Sequence, residues 1–237
     1  MDPNAGQFAV ADPPDTLIHL AWGGLPNYRS DAHVNVELIA HSRLLHQVLA
    51  AGVRNVLVTG TCLEYGMQSG ALGEDLPTQP TTQYGIAKDK LRQNLEAAAS
   101  KLGATFTWAR LFYSWGEGQS SNSLWPQLKA AVAAGERTFK MSGGEQQRDF
   151  LPAAEQARLL VALATNGRHN GVVNVCSGKP ITVRALVEGW IREHGWTIDL
   201  ELGHYPYPDY EPMAFWGDRR KLESALLMKS AFENKRF

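Results

Sequence analysis

The alternation of short apolar runs with amphipathic segments is the feature that most constrains the fold of this chain. Residues 16–21 and 55–60 are short and mostly apolar, as in strands buried inside a parallel sheet. Between them, apolar residues from Val34 to Leu49 recur at helical spacing, and Gly52 follows as a C-terminal cap. Strands that alternate with helices in this way predict an α/β fold with a parallel sheet.

The same pattern continues through the rest of the chain. A helix is predicted at residues 84–102, with Leu91, Leu95 and Leu102 facing inward and Gly103 ending it. Residues 67–83 contain glycines and prolines and no periodicity, so a long loop is expected there. The other predicted elements are strands at residues 105–113, 172–176 and 198–202 and helices at residues 124–134, 153–164 and 182–194.

Composition excludes several classes of protein. The 237 residues include 23 basic and 24 acidic side chains, and this balance rules out the broad basic surface of a nucleic-acid binder. No apolar run has the length of a membrane span and no secretory signal is visible, so a cytoplasmic protein is expected. Two cysteines, and seven histidines without metal-ligand spacing, predict neither a disulfide scaffold nor a metal site. His19, in the middle of a strand, is expected to be a hydrogen-bonded core residue.

Three residues near the predicted strand ends have side chains that together suit proton transfer. Tyr84 and Lys88 are four residues apart on a predicted helix and therefore share one face. A lysine ammonium beside a phenol favours the phenolate, so we expect Lys88 to lower the pKa of Tyr84 from its reference of about 10. Thr61 follows a strand at the sheet edge where α/β proteins bind ligands. Tyr84 would exchange a proton with a hydroxyl or ketone oxygen that Thr61 holds.

The Tyr-x-x-x-Lys spacing alone arises often by chance, and the strings around it make it specific. NVLVTG precedes Thr61, YGIAK spans Tyr84 to Lys88, and RLF begins at Arg110. With these strings, residues 15–222 resemble the extended short-chain dehydrogenase/reductase family, the NAD-dependent epimerases and dehydratases of nucleotide sugars. The resemblance implies a Rossmann-like sheet, Thr61, Tyr84 and Lys88 as catalytic residues, and NAD or NADP as cofactor.

The resemblance also implies binding residues and a division of the chain. Cofactor contacts are implied for Leu20, Ala21, Asn35, Tyr84, Lys88, Leu111 and Phe112. Contacts to a nucleotide-activated sugar are implied for Tyr113, Asn122, Ser123, Leu124 and Arg148. Among these, the guanidinium of Arg148 is in the position that meets a phosphate. The expected parts are a tail at residues 1–14, a truncated cofactor domain at 15–112, and a mainly substrate-binding region at 113–237, whose residues 153–176 return to the main sheet.

Departures from the family pattern narrow the expected chemistry. Cys62 and Leu63 stand where the 4,6-dehydratases of the family carry an Asp-Glu pair, so water elimination would lack its general acid and base. Tyr113 stands where epimerases often carry an asparagine. The strings GTCLEYG and YPYPDYEPMAFWGD resemble a subgroup associated with deoxysugar and surface-polysaccharide synthesis. A 4-ketoreductase or 4-epimerase of nucleotide sugars is therefore expected.

The family's opening strand and GxxGxxG turn are not found in this sequence, so a sheet lacking its N-terminal strands is expected. Loss of those strands would leave a long apolar edge, which predicts poor solubility, a homodimer, or repacking of the N-terminal tail. The choice between NAD and NADP is not decided, because the deciding residue belongs to the same segment. A second hypothesis stays open: a non-catalytic remnant that binds a nucleotide sugar or a partner chain.

Overall fold

The computed structural model describes residues 12–166 and 169–227, so most of the tail predicted at residues 1–14 lies outside the described residues. Four strands form the central sheet: β1 (Thr16–His19), β2 (Asn55–Thr61), β4 (Thr105–Leu111) and β8 (Gly171–Val175). They are parallel and lie in the order β1-β2-β4-β8. This sheet confirms the predicted α/β fold.

Helices cover both faces of this sheet because side chains alternate along each strand. Val56 and Val58 of β2 face α1 (Leu38–Ala50) and α2 (Gln83–Leu102). Leu57, between them, faces the opposite layer, where it packs in one apolar cluster with residues of two further helices. Those helices are α4 (Ala153–Asn166) and α6 (Arg220–Leu227). The result is the three-layer arrangement of a Rossmann-like fold.

The helix predicted at residues 84–102 ends at the expected residue, but the residue that it buries in its last turn differs from the prediction. Gly103 caps α2 in the left-handed conformation, with φ at 67°. Leu102 is 45% exposed, so its predicted inward position is wrong. The chain turns away directly after Leu102, and Ala99, one turn earlier, is the buried residue of this part of the helix.

Smaller sheets lie beyond the carboxyl ends of the main strands. A three-stranded sheet contains β5 (Tyr113–Trp115), β7 (Gln147–Pro152) and β9 (Pro180–Thr182). Two parallel pairs complete the described strands: β3 (Gly70–Leu72) with β11 (Phe215–Gly217), and β6 (Thr138–Lys140) with β10 (Asp199–Glu201). The remaining helices, α3 (Leu124–Ala133) and α5 (Val183–His194), pack on an apolar cluster that contains Trp125 and Trp190.

Two predicted elements are corrected by these small sheets. The segment at residues 67–83 is not all loop, because it contains β3, whose partner β11 lies far along the chain. The strand predicted at residues 105–113 ends at Leu111, and Tyr113 begins β5 in another sheet. The chain changes sheets at Phe112, which packs in the cluster with Tyr65 and Phe215.

Strand β1, which is four residues long, forms one edge of the described main sheet. Leu20, just after it, is 60% exposed. No helix in the described parts of the chain is long and apolar enough to cross a membrane.

Candidate active site

A cavity of about 530 Å³ lies at the carboxyl ends of the main strands. It is the region in which open α/β sheets bind their ligands. The structure brings most of the predicted site residues together there. The predicted residues that line the cavity are Leu20, Thr61, Tyr84, Lys88, Leu111, Phe112, Tyr113, Asn122, Ser123, Leu124 and Arg148.

Two predicted cofactor-binding residues do not line this cavity. Ala21 lines a separate apolar groove along β1, with Leu17 and Val48. Asn35 is exposed in a short π-helical turn, His33–Glu37, that precedes α1. His33 is buried in that turn, so Asn35, two residues further on, faces the other way. Asn35 therefore does not line this cavity, and its contact with the cofactor stays a prediction.

Thr61 is held in place by the start of a 3₁₀ turn. It is the last residue of β2 and the N-cap of the turn Cys62–Tyr65, where its hydroxyl accepts a hydrogen bond from Leu63 N at 3.3 Å. The carboxylate of Glu64 reaches back and accepts from Thr61 N at 2.8 Å, which completes a capping box. The backbone of Thr61 is thus fixed at the cavity wall by a buried acid.

Glu64 is itself locked by two further donors. Its Oε1 accepts from Trp108 Nε1 at 3.0 Å, and its Oε2 accepts from Arg110 Nε at 2.8 Å. Both partners come from β4, the strand beside β2. Glu64 is fully buried and Arg110 is 2% exposed, so the pair is sealed from water. Strand β4, which contains Arg110 of the RLF string, therefore holds Glu64, and Glu64 in turn fixes Thr61.

Tyr84 lies at the start of α2 among aromatic rings. Thr82 caps this helix by accepting from Gly85 N at 3.1 Å, and Tyr84 N donates to the backbone oxygen of Tyr28 at 3.0 Å. The Tyr84 ring centroid is 5.6 Å from that of Tyr28 and 5.9 Å from that of Trp22. Tyr84 is 8% exposed and lines the cavity beside Thr61. These contacts fix the position of the phenol.

The predicted effect of Lys88 on the pKa of Tyr84 is wrong in this structure. Burial raises the pKa of Tyr84 above its ordinary value, and the nearby Tyr28 and Glu64 add to the increase. A hydrogen bond from Thr61 acts in the opposite direction but is a smaller effect. The Lys88 Nζ lies 5.9 Å from the Tyr84 ring centroid and donates to the backbone oxygen of Thr59 at 2.9 Å. Tyr84 therefore holds its proton at neutral pH.

Lys88 is one turn along α2 from Tyr84 and is almost completely buried. Its ammonium lies 4.1 Å from the ring centroid of Trp22, in a cation–π contact, and 5.9 Å from the Tyr84 ring centroid. Burial lowers the pKa of Lys88 to about 7, while Glu64 and Glu37 act in the opposite direction. Its charge therefore changes close to neutral pH.

Burial of Lys88 is expected to make stability rise with pH. The ordinary pKa of 10.5 applies to the unfolded chain, whereas the folded chain loses the proton near pH 7. Between these values the unfolded state binds more protons, so the free energy of unfolding rises with pH. Urea unfolding of the wild-type chain and of Lys88→Met should show a steeper rise in the wild type between about pH 7 and 8, below the range in which the buried Cys62 and Cys176 thiols oppose it. Lys90→Met, which removes an exposed lysine of the same helix, should keep it. A rise of equal size in Lys88→Met would contradict the lowered pKa.

Gly85 permits the close contact between α2 and the turn that carries Thr61. A Cβ at this position would lie 2.8 Å from the backbone oxygen of Leu63 and 3.1 Å from Pro80 Cβ. Gly85→Ala is therefore expected to destabilise the fold by about 1–3 kcal/mol. Gly189→Ala is the matched control, because a Cβ on this α5 glycine meets no atom within 4 Å. It should stabilise the chain by about 0.5–1 kcal/mol. Urea unfolding measures both, and a neutral Gly85→Ala would refute the close packing.

Arg148 reaches the cavity from β7 and is paired there with an acid that the sequence did not identify. Its Nε and NH2 contact Oε2 of Glu211 at 2.9 and 2.8 Å. The neighbouring Asp149 faces the other way and accepts backbone hydrogen bonds from Ser177 and Gly178, which fixes the strand. Arg148 therefore lies in the cavity wall as a neutralised ion pair.

Comparison with known proteins decides the family. Residues 1–176 match the family model of the NAD dependent epimerase/dehydratase family. The chain belongs to this family. The resemblance stated from the catalytic strings is thus confirmed, and so is the expectation of an NAD(P)-dependent enzyme.

Several members of the NAD dependent epimerase/dehydratase family are similar to this chain. The dTDP-6-deoxy-L-talose 4-dehydrogenase (NAD(+)) of Aggregatibacter actinomycetemcomitans is 31% identical over 204 residues, covering 86% of this chain and 75% of that protein. The corresponding NAD(P)(+) enzyme of Kitasatospora kifunensis is 29% identical over 203 residues, or 82% of this chain and 63% of that protein. MoeE5, solved with UDP-glucuronic acid and NAD, superimposes with a TM-score of 0.76 at 26% identity over 90% of this chain and 72% of MoeE5.

The cavity of this family member fits the nicotinamide half of NAD. Leu20, Thr59 and Leu111 provide its wall at the ends of β1, β2 and β4. The buried Lys88 is a donor suited to ribose hydroxyls, and the aromatic face of Trp22 lies beside it. An apolar wall with one convergent cation is the usual composition of a cofactor site.

Several cavity residues were missed by the sequence analysis. Trp22 and Tyr28 follow β1 in a segment without regular structure, and no motif marks them. Glu211 also belongs to a loop, and its partner Arg148 is 63 residues away in sequence. Glu64 could have been found, because Thr61 and Glu64 have the spacing of a capping box.

His19 has the buried position that was expected of it, and both cysteines are buried as well. His19 Nε2 bonds His41 Nδ1 at 3.0 Å, but its Nδ1 is buried without a partner in the described chain, so it is only partly hydrogen-bonded. Burial lowers the pKa of His19 to about 4. Burial likewise raises the pKa of the Cys62 and Cys176 thiols. Neither cysteine is therefore a thiolate at neutral pH.

Proposed function

We propose that this protein is an NAD(P)-dependent nucleotide-sugar oxidoreductase acting at sugar C4, as a 4-dehydrogenase in one direction and a 4-ketoreductase in the other. The observation that carries the proposal is the meeting of Thr61, Tyr84 and Lys88 at one cavity wall. Two similar proteins bear the name dTDP-6-deoxy-L-talose 4-dehydrogenase, which favours a 6-deoxyhexose bound to a nucleotide. Such substrates fit the deoxysugar and surface-polysaccharide synthesis expected from the sequence.

Each of the three residues has a distinct part in this reaction. Lys88 and the apolar wall would hold the nicotinamide cofactor, which would supply the hydride chemistry when bound. Tyr84 Oη holds the proton that moves to or from the C4 oxygen, and burial keeps this proton in place at neutral pH. The Thr61 hydroxyl positions the same oxygen. Lys88 binds the cofactor ribose and, when protonated, stabilises the phenolate left by proton donation.

Water elimination is disfavoured by the groups next to Thr61. Cys62 and Leu63 line the cavity where a dehydratase of this family would need two carboxyl groups. The pKa of the Cys62 thiol is raised by burial, so it does not replace a carboxylate as a base. Proton transfer at one oxygen by Tyr84 is the chemistry that these side chains support.

The sugar and its nucleotide are expected to extend away from Tyr84 towards α3. Asn122, Ser123 and Leu124 line the cavity at the beginning of that helix, in the segment that resembles the family's diphosphate-binding string. Backbone N–H groups and the helix dipole favour an anion at such a terminus. We therefore assign the diphosphate to this end of the cavity.

An absorbance assay tests the proposal. The chain is mixed with NAD⁺ or NADP⁺ and with dTDP-6-deoxy-L-talose or UDP-glucose, and NADH or NADPH formation is followed. Reduction of the cofactor together with appearance of a 4-keto sugar is expected for at least one pair. Interconversion of C4 epimers without net reduction would instead assign a 4-epimerase. A folded chain that neither binds nor reduces a cofactor would contradict the proposal and favour the non-catalytic remnant.

A further inference from the structure

The Arg148–Glu211 pair occupies a part of the cavity that the three catalytic residues do not explain. Arg148 directs Nε and NH2 to Glu211, and its NH1 donates to the backbone oxygens of Gln147 and Met213 at 2.9 and 3.2 Å. Most N–H groups of the guanidinium are thus used within the protein. The side chains of Arg148 and Glu211 are 4% and 7% exposed, so the pair is shielded from bulk water.

Tyr113 supplies an unused polar group beside this pair. Its hydroxyl is buried and lies near the Glu211 carboxylate, but it makes no hydrogen bond of normal geometry with the described residues. Burial, followed by the charge of Glu211, raises the pKa of Tyr113, so the hydroxyl remains a neutral donor and acceptor. Both contacts of Arg148 are made to Oε2 of Glu211, which leaves Oε1 as the acceptor of that carboxylate. A buried hydroxyl without a partner costs stability unless a ligand supplies one.

The pair lies close to the proposed reacting oxygen. The ring centroid of Tyr210, the residue before Glu211, lies 5.7 Å from that of Tyr28. The rings of Tyr28 and Tyr84 are 5.6 Å apart. Glu211 and Tyr113 therefore face the part of the cavity next to Tyr84, where a sugar ring rather than a nucleotide would lie.

The charges of the cavity wall determine which sugars fit. Among the described residues that line it, the charged side chains are Lys88, Arg148 and Glu211. Lys88 donates to the Thr59 oxygen and, in the proposed function, to the cofactor ribose, whereas Arg148 is paired with Glu211. A carboxylate on the sugar would be desolvated without a free cation and would meet Glu211. Turning Arg148 to such a ligand would leave Glu211 buried and unpaired.

We propose that Arg148, Glu211 and Tyr113 form a subsite for the neutral hydroxyl groups of a hexose, and that this subsite excludes hexuronates. The assignment rests on the proposed nucleotide-sugar function. In this proposal Arg148 does not make the phosphate contact that was expected of it, because it neutralises Glu211 instead. The sugar is bound by Glu211 Oε1 and the Tyr113 hydroxyl. Arg148 is then a positioning residue, and Glu211 determines specificity.

Calorimetric titration of the chain with UDP-glucose, UDP-glucuronic acid and UDP tests the subsite, since the two sugars differ only in a carboxylate. The wild type should bind UDP-glucose about tenfold or more tightly than UDP-glucuronic acid. Glu211→Gln frees Arg148 and should reduce this preference about tenfold, with UDP affinity unchanged. Tyr113→Phe should weaken UDP-glucose only. Glu223→Gln, in an exposed Arg–Glu pair of α6, should leave all three affinities as in the wild type.

Other outcomes would refute either the subsite alone or the subsite together with the proposed function. Equal wild-type affinity for the two sugars, or an unchanged ratio in Glu211→Gln, would refute the subsite and leave the nucleotide-sugar function standing. In a third outcome, Glu211→Gln weakens UDP and UDP-glucose binding by the same factor. This result would place the Arg148–Glu211 pair at the diphosphate and would also refute the subsite. If the wild type binds none of the three ligands, the subsite proposal is refuted, and the proposed function fails with it only if dTDP-6-deoxy-L-talose is not bound either.

Discussion

Tyr84→Phe is expected to lower kcat about 10²–10⁴-fold while the chain stays folded. The change removes the one hydroxyl that is placed to move a proton at the C4 oxygen, and general acid–base catalysis contributes this factor. The ring remains, with its contacts to Tyr28 and Trp22, so cofactor affinity should be nearly unchanged. Steady-state rates with the reactive cofactor–sugar pair, together with NADH binding, separate the two effects.

The control for this experiment is Tyr205→Phe, which removes the hydroxyl of an exposed tyrosine outside the cavity. It should have the kcat of the wild type. The direction of reaction gives a further check, because burial raises the pKa of Tyr84 and keeps the acid form. Ketone reduction uses this form directly, whereas sugar oxidation needs the phenolate and should accelerate as pH rises. Turnover retained by Tyr84→Phe would remove Tyr84 from the mechanism.

Glu64→Ala is expected to destabilise the fold by about 3–5 kcal/mol, because it leaves the charge of Arg110 buried without a partner. Arg110 is 2% exposed and its Nε bonds Glu64 directly. The change also removes acceptors for Thr61 N and Trp108 Nε1. Urea unfolding should show a large drop in the transition midpoint. Thr61 would also lose its fixed position, so kcat should fall in the fraction that remains folded.

Two controls connect this loss to the buried charge. Glu188→Ala removes the acid of an exposed ion pair with Arg184 on α5 and should change stability little. The double variant Glu64→Met with Arg110→Met replaces the buried pair by apolar side chains and should recover much of the stability. A double variant no more stable than Glu64→Ala would show that the loss comes from the hydrogen bonds to the backbone and to Trp108.

The fold and the centre of the site were readable from the sequence because both depend on local patterns. The apolar runs that became β2 and β4, and the stripe that became α2, are properties of neighbouring residues. The cavity residues were predictable because Thr61 lies at the end of a strand, and Tyr84 and Lys88 lie one turn apart on a helix. The topology of the sheet then brings all three to one cavity. Three-residue strands such as β3 were missed because their partners are far away in sequence.

The charges around the site were less predictable because burial determines them. The i, i+4 spacing of Tyr84 and Lys88 was correct, yet the pKa of Tyr84 rises, since desolvation outweighs the neighbouring amine. The partner of Arg148 was not visible, because Glu211 reaches it from a loop 63 residues away. Spacing predicts which side chains meet, whereas their protonation depends on the whole cavity.

The most direct test of the central claim is transfer of deuterium from sugar C4 to the cofactor. The chain, in excess over the sugar, is mixed with NAD⁺ and with dTDP-6-deoxy-L-talose that is deuterated at C4. The mass of the NADH formed in this single turnover is then measured. The account predicts deuterated NADH with the wild type and a rate reduced about 10²–10⁴-fold with Tyr84→Phe. Unlabelled NADH, or equal rates for the two proteins, would contradict hydride transfer at C4 assisted by Tyr84.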